Sequence, residues 1–131
     1  MRQKIGLVAL VVPDYDSAIS FYVSGLGFDL AQDEIQGKKR WVVVRPRGAE
    51  TGLLIARAAN ADQSAAVGNQ TGGRVGFFLH TDDFDRDAIA ITGAGGKFQE
   101  NPRDEIYGRV AVFTDPFGNM WDLIEPAEQD Q

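Results

Sequence analysis

Apolar residues along this chain gather in short runs punctuated by Gly, Pro, Asp and Asn, and most of the runs predict strands. Residues 5–12, IGLVALVV, are aliphatic almost throughout and read as a strand buried on both faces. Pro13-Asp14 ends it. Asp14 or Asp16 then caps a helix over residues 17–24, with Ala18, Ile19, Phe21, Tyr22 and Val23 on its apolar side and Gly25 and Gly27 as its stop. Residues 28–35 predict a strand and Gly37-Lys38 a turn. A strand over 39–45 is built on Trp41-Val42-Val43-Val44, Pro46-Arg47-Gly48 turns the chain, and residues 51–56 make a fourth strand.

Residues 58–73 break the rhythm. They are rich in Ala, Gly, Asn and Gln, and read as a linker with a short helix around 61–67. The pattern then restarts. Residues 74–81 predict a strand, Asp83-Phe84-Asp85 a helix cap, and 86–92 a helix ended by Gly93, Gly95 and Gly96. A short strand over 97–100 and a polar connection over 103–105 follow. Residues 107–114 and 118–125 form a hairpin around Asp115-Pro116-Phe117-Gly118-Asn119, where Pro116 presets φ and Gly118 takes the left-handed conformation. In its second arm Trp121 and Leu123 alternate with Met120, Asp122 and Ile124, which leaves one acid among apolar side chains. Residues 127–131 are a polar tail.

The restart is a repeat. Asp14-Tyr15-Asp16 and Asp83-Phe84-Asp85 lie 69 residues apart, as do Leu10 and Leu79, and Gly27 and Gly96. Pro46-x-Gly48 recurs 70 residues later as Pro116-x-Gly118. The expected fold class is α+β: two tandem β-α-β-β-β modules, about 4–57 and 74–126, in one domain over 1–131, with pseudo-twofold symmetry and a cleft of curved sheets.

Charge and composition narrow the chemistry. The chain has 131 residues and a net charge of −6, which argues against nucleic acid or an anionic membrane as partner. It has no cysteine, so there is no disulfide, thiol nucleophile or thiolate metal site, and a reducing cytoplasm is the expected location. The single histidine, His80, rules out a site built on two histidines of one chain. The apolar run after Met1-Arg2-Gln3-Lys4 is only eight residues and lacks a small-residue cleavage site, so it reads as a strand and not a signal peptide. No run nears the roughly 20 residues of a membrane-spanning helix. Nor is there a Gly-x-Ser-x-Gly elbow, and the glycines after residue 92 follow a helix where a phosphate loop would open one.

The paired modules, the opening strand running into Pro13-Asp14-Tyr15-Asp16, Phe21-Tyr22, Gly25-Leu26-Gly27-Phe28 and Asp115-Pro116-Phe117-Gly118-Asn119 together resemble the vicinal oxygen chelate superfamily. That group contains glyoxalase I, bleomycin-resistance proteins, fosfomycin-resistance enzymes and extradiol dioxygenases. The resemblance implies a small-molecule site and a homodimer. It also implies, in the enzymes, a divalent metal held by His or Glu on equivalent strands of both modules. The matching positions here are Leu7, Gly76, Asp122 and a residue among 52–54. Only Asp122 can coordinate, and a single carboxylate does not hold a divalent ion. No metal and no other cofactor is therefore expected.

Strand alternation, combined with the resemblance, places Arg74, Gly76, Phe78 and His80 toward the cleft, with Ile5, Leu7, Ala9 and Val11 on the first strand and Met120, Asp122 and Ile124 on the last. Val75, Phe77 and Leu79 then face the helices. Asp122 reads either as an acceptor or general base for a ligand, or as a carboxylate paired with Arg74, Arg40 or Arg109. His80 reads either as a ligand-binding or proton-shuttling group, or as a strand-end residue bonded to the Asp82-Asp83 loop. Trp41 with Arg40 reads either as a stacking surface for a flat ligand or as sheet core. Asp122 and His80 are the only catalytic candidates. The expected function is metal-free binding of a small, flat or partly apolar molecule, by sequestration or with mild acid–base chemistry. The alternatives are a metal-dependent lyase or dioxygenase of glyoxalase type, and a protein-interaction module with a vestigial cleft.

Overall fold

A computed structural model describes residues 2–128. The chain is α+β and divides into two compact units, one ending at Val67 and the next starting at Gly68. In the first, strands β1 (Leu7–Val12), β2 (Asp29–Gln36), β3 (Lys39–Arg45) and β4 (Gly52–Arg57) form a sheet in the order β1-β4-β3-β2. β1 and β4 are parallel, and the other neighbours are antiparallel. The register aligns Leu10 with Ile55 and Ile55 with Val42, all buried, on the face that takes Ala18, Phe21 and Tyr22. Tyr22 lies edge-on to Phe21, with centroids 4.8 Å apart, and also meets Phe28.

β1 is an edge strand, and only one of its faces is covered. Leu10 and Val12 are buried while Leu7, Val8 and Ala9 are exposed, which corrects the expectation of a strand buried on both sides. The predicted helix is also two structures. α1 (Tyr15–Ile19) begins where Asp14 accepts the Ser17 N–H at 2.8 Å, then widens into a π-helical turn over Ser20–Gly25. The wider turn closes through a Leu26 N–H to Phe21 carbonyl bond of 2.9 Å and lets the adjacent Phe21 and Tyr22 both be buried. The helix expected around 61–67 is α2 (Ala61–Ala66), capped by Asn60, whose side chain accepts the Gln63 N–H at 2.9 Å.

The second unit repeats the topology. β5 (Phe77–His80), β6 (Lys97–Phe98), β7 (Arg103–Glu105), β8 (Gly108–Thr114) and β9 (Met120–Pro126) run in the order β5-β9-β8-β6, with β7 also on β8. β5 and β9 are the parallel pair. α3 (Phe84–Gly93) starts at Asp83, which accepts the Arg86 N–H, and the Glu125 carboxylate of β9 accepts the Phe84 N–H at 2.7 Å. One row of the sheet is aromatic from edge to edge: Phe77, Trp121, Phe113 and Phe98 are successive cross-strand partners. Their ring centroids lie 4.8, 5.9 and 5.6 Å apart, and Phe84 of α3 closes on Phe98. Such stacks join large apolar burial to favourable ring geometry.

Two sequence expectations change here. Residues 103–105 are a strand, not a loop, because Arg103–Glu105 pairs with Gly108–Val110. The outer strand of this sheet is thus broken into β6 and β7, with Pro102 in the gap. β5 is also shorter than the 74–81 run: the ladder starts at Phe77, so alternation does not extend to Arg74. The turn reading holds, since Gly118 has φ +102°.

Candidate functional site

The row next to the aromatic one builds the site, on the opposite face of the same sheet. Phe78 of β5 is the cross-strand neighbour of Asp122, and Asp122 is the neighbour of Val112. Outward of Val112 the Gln99 N–H donates to the Val112 carbonyl at 2.8 Å, and beyond it the outer strand breaks, so the Glu100 side chain accepts the Val112 N–H at 2.9 Å. Phe78 is 60% exposed, an unusual position for a phenylalanine in a sheet. His80 lies two residues on along the same face, exposed, and Gly76 precedes β5 with its N–H bonded to the Met120 carbonyl at 3.0 Å.

Asp122 carries an unmet demand. Its Oδ1 is buried, and among the described residues no hydrogen-bond partner reaches it. Burial pushes the carboxyl above the ordinary carboxylate range, Arg103 opposes that rise and Glu100 adds to it. Arg103 is therefore the arginine whose charge acts on Asp122. The sequence reading named Arg74, Arg40 and Arg109 instead. Arg40 is held by Asp33 and Asp16 and lies over the Tyr15 ring, while Arg109 lies over Phe84 near Asp85.

Arg103 is nevertheless committed elsewhere. Its Nε and Nη2 donate to the two oxygens of Glu100 at 2.9 and 3.0 Å, and its Nη1 donates to Glu105 at 2.6 Å. The bidentate geometry fixes the guanidinium plane. The Glu100 carboxyl is held below its ordinary range, first by Arg103 and then by the Val112 N–H.

The remaining candidates are placed as follows. Consecutive residues of β3 point to opposite faces, so Trp41 and Arg40 do not present one surface; Trp41 Nε1 donates to Gln32 at 2.8 Å. Leu7 shares the open face of the first sheet with Leu54, through the pairs Leu7 with Gly52 and Ala9 with Leu54. Since Phe78 pairs with Asp122 as Ala9 pairs with Leu54, Leu54 is the first unit's counterpart of Asp122. The loop after His80 is bonded by Thr81, whose Oγ1 accepts the Asp83 N–H at 3.0 Å.

The Leu7, Leu54, Gly76 and Asp122 positions do not fit a divalent metal, because three of them have no donor side chain. Among the described residues no three of His, Cys, Asp and Glu stand together as a metal site. Glu100, the acid beside the Asp122 row, is spent on Arg103 and Val112.

Sequence reasoning missed Arg103 and Glu100. Their signal was local: a Glu-x-x-Arg spacing followed by Asp104-Glu105, flanking Pro102 where an outer strand was due.

A chain of two β-α-β-β-β units with this site face belongs to a known class. The family model of the glyoxalase/bleomycin resistance protein/dioxygenase superfamily matches residues 4–123, and the protein is a member of that superfamily. It is 52% identical over 128 residues to an uncharacterized protein of Shewanella frigidimarina, covering 95% of each chain. Among solved structures it resembles UcmS2, with 26% identity, a TM-score of 0.81 and coverage of 95% of this chain and 99% of that one. It also resembles TnmS3, an antibiotic binding protein from Streptomyces sp. CB03234, with 31% identity, a TM-score of 0.75 and coverage of 96% and 98%. No helix among the described residues is long and apolar enough to cross a membrane.

Proposed function

We propose that this protein binds a small, flat or partly apolar molecule without a metal ion, on the face that carries Phe78 and Asp122, and sequesters it. The observation that carries this reading is the juxtaposition of an exposed aromatic ring with a buried carboxylate oxygen that has no partner among the described residues. An unsatisfied buried acceptor costs stability, and a ligand donor offsets that cost. Gly76, His80 and Arg74 border the same strand, and Leu7 and Trp41 lie on the open face of the first sheet. The antibiotic-binding description of TnmS3, at 31% identity, favours a natural product or similar compound as the ligand. The reading extends to a cytoplasmic homodimer, for which the absence of cysteine and the exposed Leu7 and Phe78 are the support.

Isothermal titration with a panel of polycyclic antibiotics tests it. One or more bind the wild-type protein, and Phe78→Ala weakens that binding about tenfold or more, the scale expected for an aromatic anchor. Binding unchanged in both Phe78→Ala and Asp122→Asn overturns the assignment of the site. Light scattering checks the dimer.

A further inference from the structure

We infer that Glu100 is a specificity-determining positioning residue: by holding Arg103 away from Asp122 it makes the site select ligands that donate a hydrogen bond. The inference rests on the ligand-binding reading above. Arg103 pairs with Val110 and Asp122 with Val112, two residues apart on β8, so both side chains stand on one face of the sheet, where an arginine and a half-buried carboxylate normally pair. Here it does not. Two of its N–H groups point at Glu100 and a third at Glu105, while Asp122 Oδ1 has no donor among the described residues.

Glu100 is itself fixed, because its Oε2 also accepts the Val112 N–H in the gap of the broken outer strand. The anchor for the clamp is thus Val112, the direct neighbour of Asp122. Arg103 is bonded to two acids, Glu100 and Glu105, so its positive charge is already balanced on the face it shares with Asp122. A ligand edge carrying N–H or O–H meets an acceptor there, and a ligand carboxylate meets like charge. Phe78 supplies the apolar surface beside that acceptor. The chemical class is an aromatic or alicyclic compound with an amine, amide N–H or hydroxyl at its edge.

Four probes on one ring system test this by ligand-observed NMR: naphthalene, 2-naphthylmethylamine, 2-naphthylmethanol and 2-naphthoate. The wild-type protein is expected to bind the amine and the alcohol at least about tenfold more tightly than 2-naphthoate, the scale of one charge-assisted hydrogen bond. In Glu100→Gln the freed Arg103 pairs with Asp122, and the preference collapses or turns toward 2-naphthoate. Arg103→Met, which removes the guanidinium, keeps the donor preference. Wild-type binding of all four probes with equal affinity overturns this inference and leaves the binding reading standing. Binding of none of them overturns both. An unchanged order in folded Glu100→Gln, or loss of donor preference in folded Arg103→Met, overturns the role of Glu100.

Discussion

Asn119 is tied to Asp115 twice, by its backbone N–H to Oδ1 at 2.9 Å and by its side-chain amide to Oδ2 at 2.8 Å. Both residues are 3% exposed. The Phe117 N–H also donates to Asp115 Oδ1, and the Asp115 N–H returns to the Asn119 carbonyl at 3.0 Å. This closed set of bonds explains why the turn between β8 and β9 has the sequence it has. Asn119→Ala removes the side-chain amide that donates to Asp115 Oδ2 and is expected to lower stability by about 1–3 kcal/mol. Urea denaturation monitored by Trp fluorescence measures it. A loss near zero would mean that the turn is held by its backbone alone.

Asp122 should behave in the opposite way. Burial raises its carboxyl in the folded state above its ordinary 3.8. A group raised in the folded state contributes most at low pH, and that contribution is lost as pH rises from the unfolded value through the folded one. Asp122→Asn is therefore expected to melt a few degrees higher than the wild type near neutral pH, with the gain shrinking in acid. Stabilisation on removing a site residue is the usual sign of a group kept for binding. A melting point unchanged or lowered at neutral pH would count against an unmet charge there.

Glu100 titrates with the reverse sign. Arg103 holds its carboxyl below the ordinary 4.5, so the pair stabilises above that value. The stabilisation is lost as pH falls from about 4.5 through the lower folded value. Glu100→Gln is expected to flatten this part of the acid limb in a series of urea midpoints. A limb of unchanged slope would show that other carboxylates dominate it.

Divalent metals should not stabilise the protein. Protein purified without added metal and titrated with Zn²⁺, Ni²⁺, Mn²⁺ or Fe²⁺ is expected to show no tight stoichiometric binding and no rise in melting temperature, because a native-state ligand must raise it. Tight binding that is lost in Asp122→Ala would move the chain to the metal-dependent lyases or dioxygenases of its superfamily.

The architecture was largely legible because it is written in periodicities. The repeat at 69 residues, the capping aspartates and the Pro-x-Gly turns carry the α+β fold class in the sequence itself. β7 was not legible, since Arg103-Asp104-Glu105 is polar throughout and its strand character comes from pairing with β8. The π-helical turn was hidden for a similar reason: helical periodicity does not separate a bond to the fourth residue from one to the fifth. Asp122 stood out as an acid in an apolar run. Its relation to Arg103 and Glu100 did not, because it depends on which of several arginines the register carries to that row, and on Glu100 reaching across a gap.

The break between β6 and β7 has a consequence for the protein's life in a crowded solution. An outer strand with an unbroken row of free amides and carbonyls is a template on which another chain can add a strand. Here the border of the sheet is two short pieces, with a proline and a salt-bridged glutamate between them. A foreign strand arriving there would find no continuous ladder to extend. The irregularity that seats Glu100 beside Val112 thus also guards this border against strand-by-strand self-association.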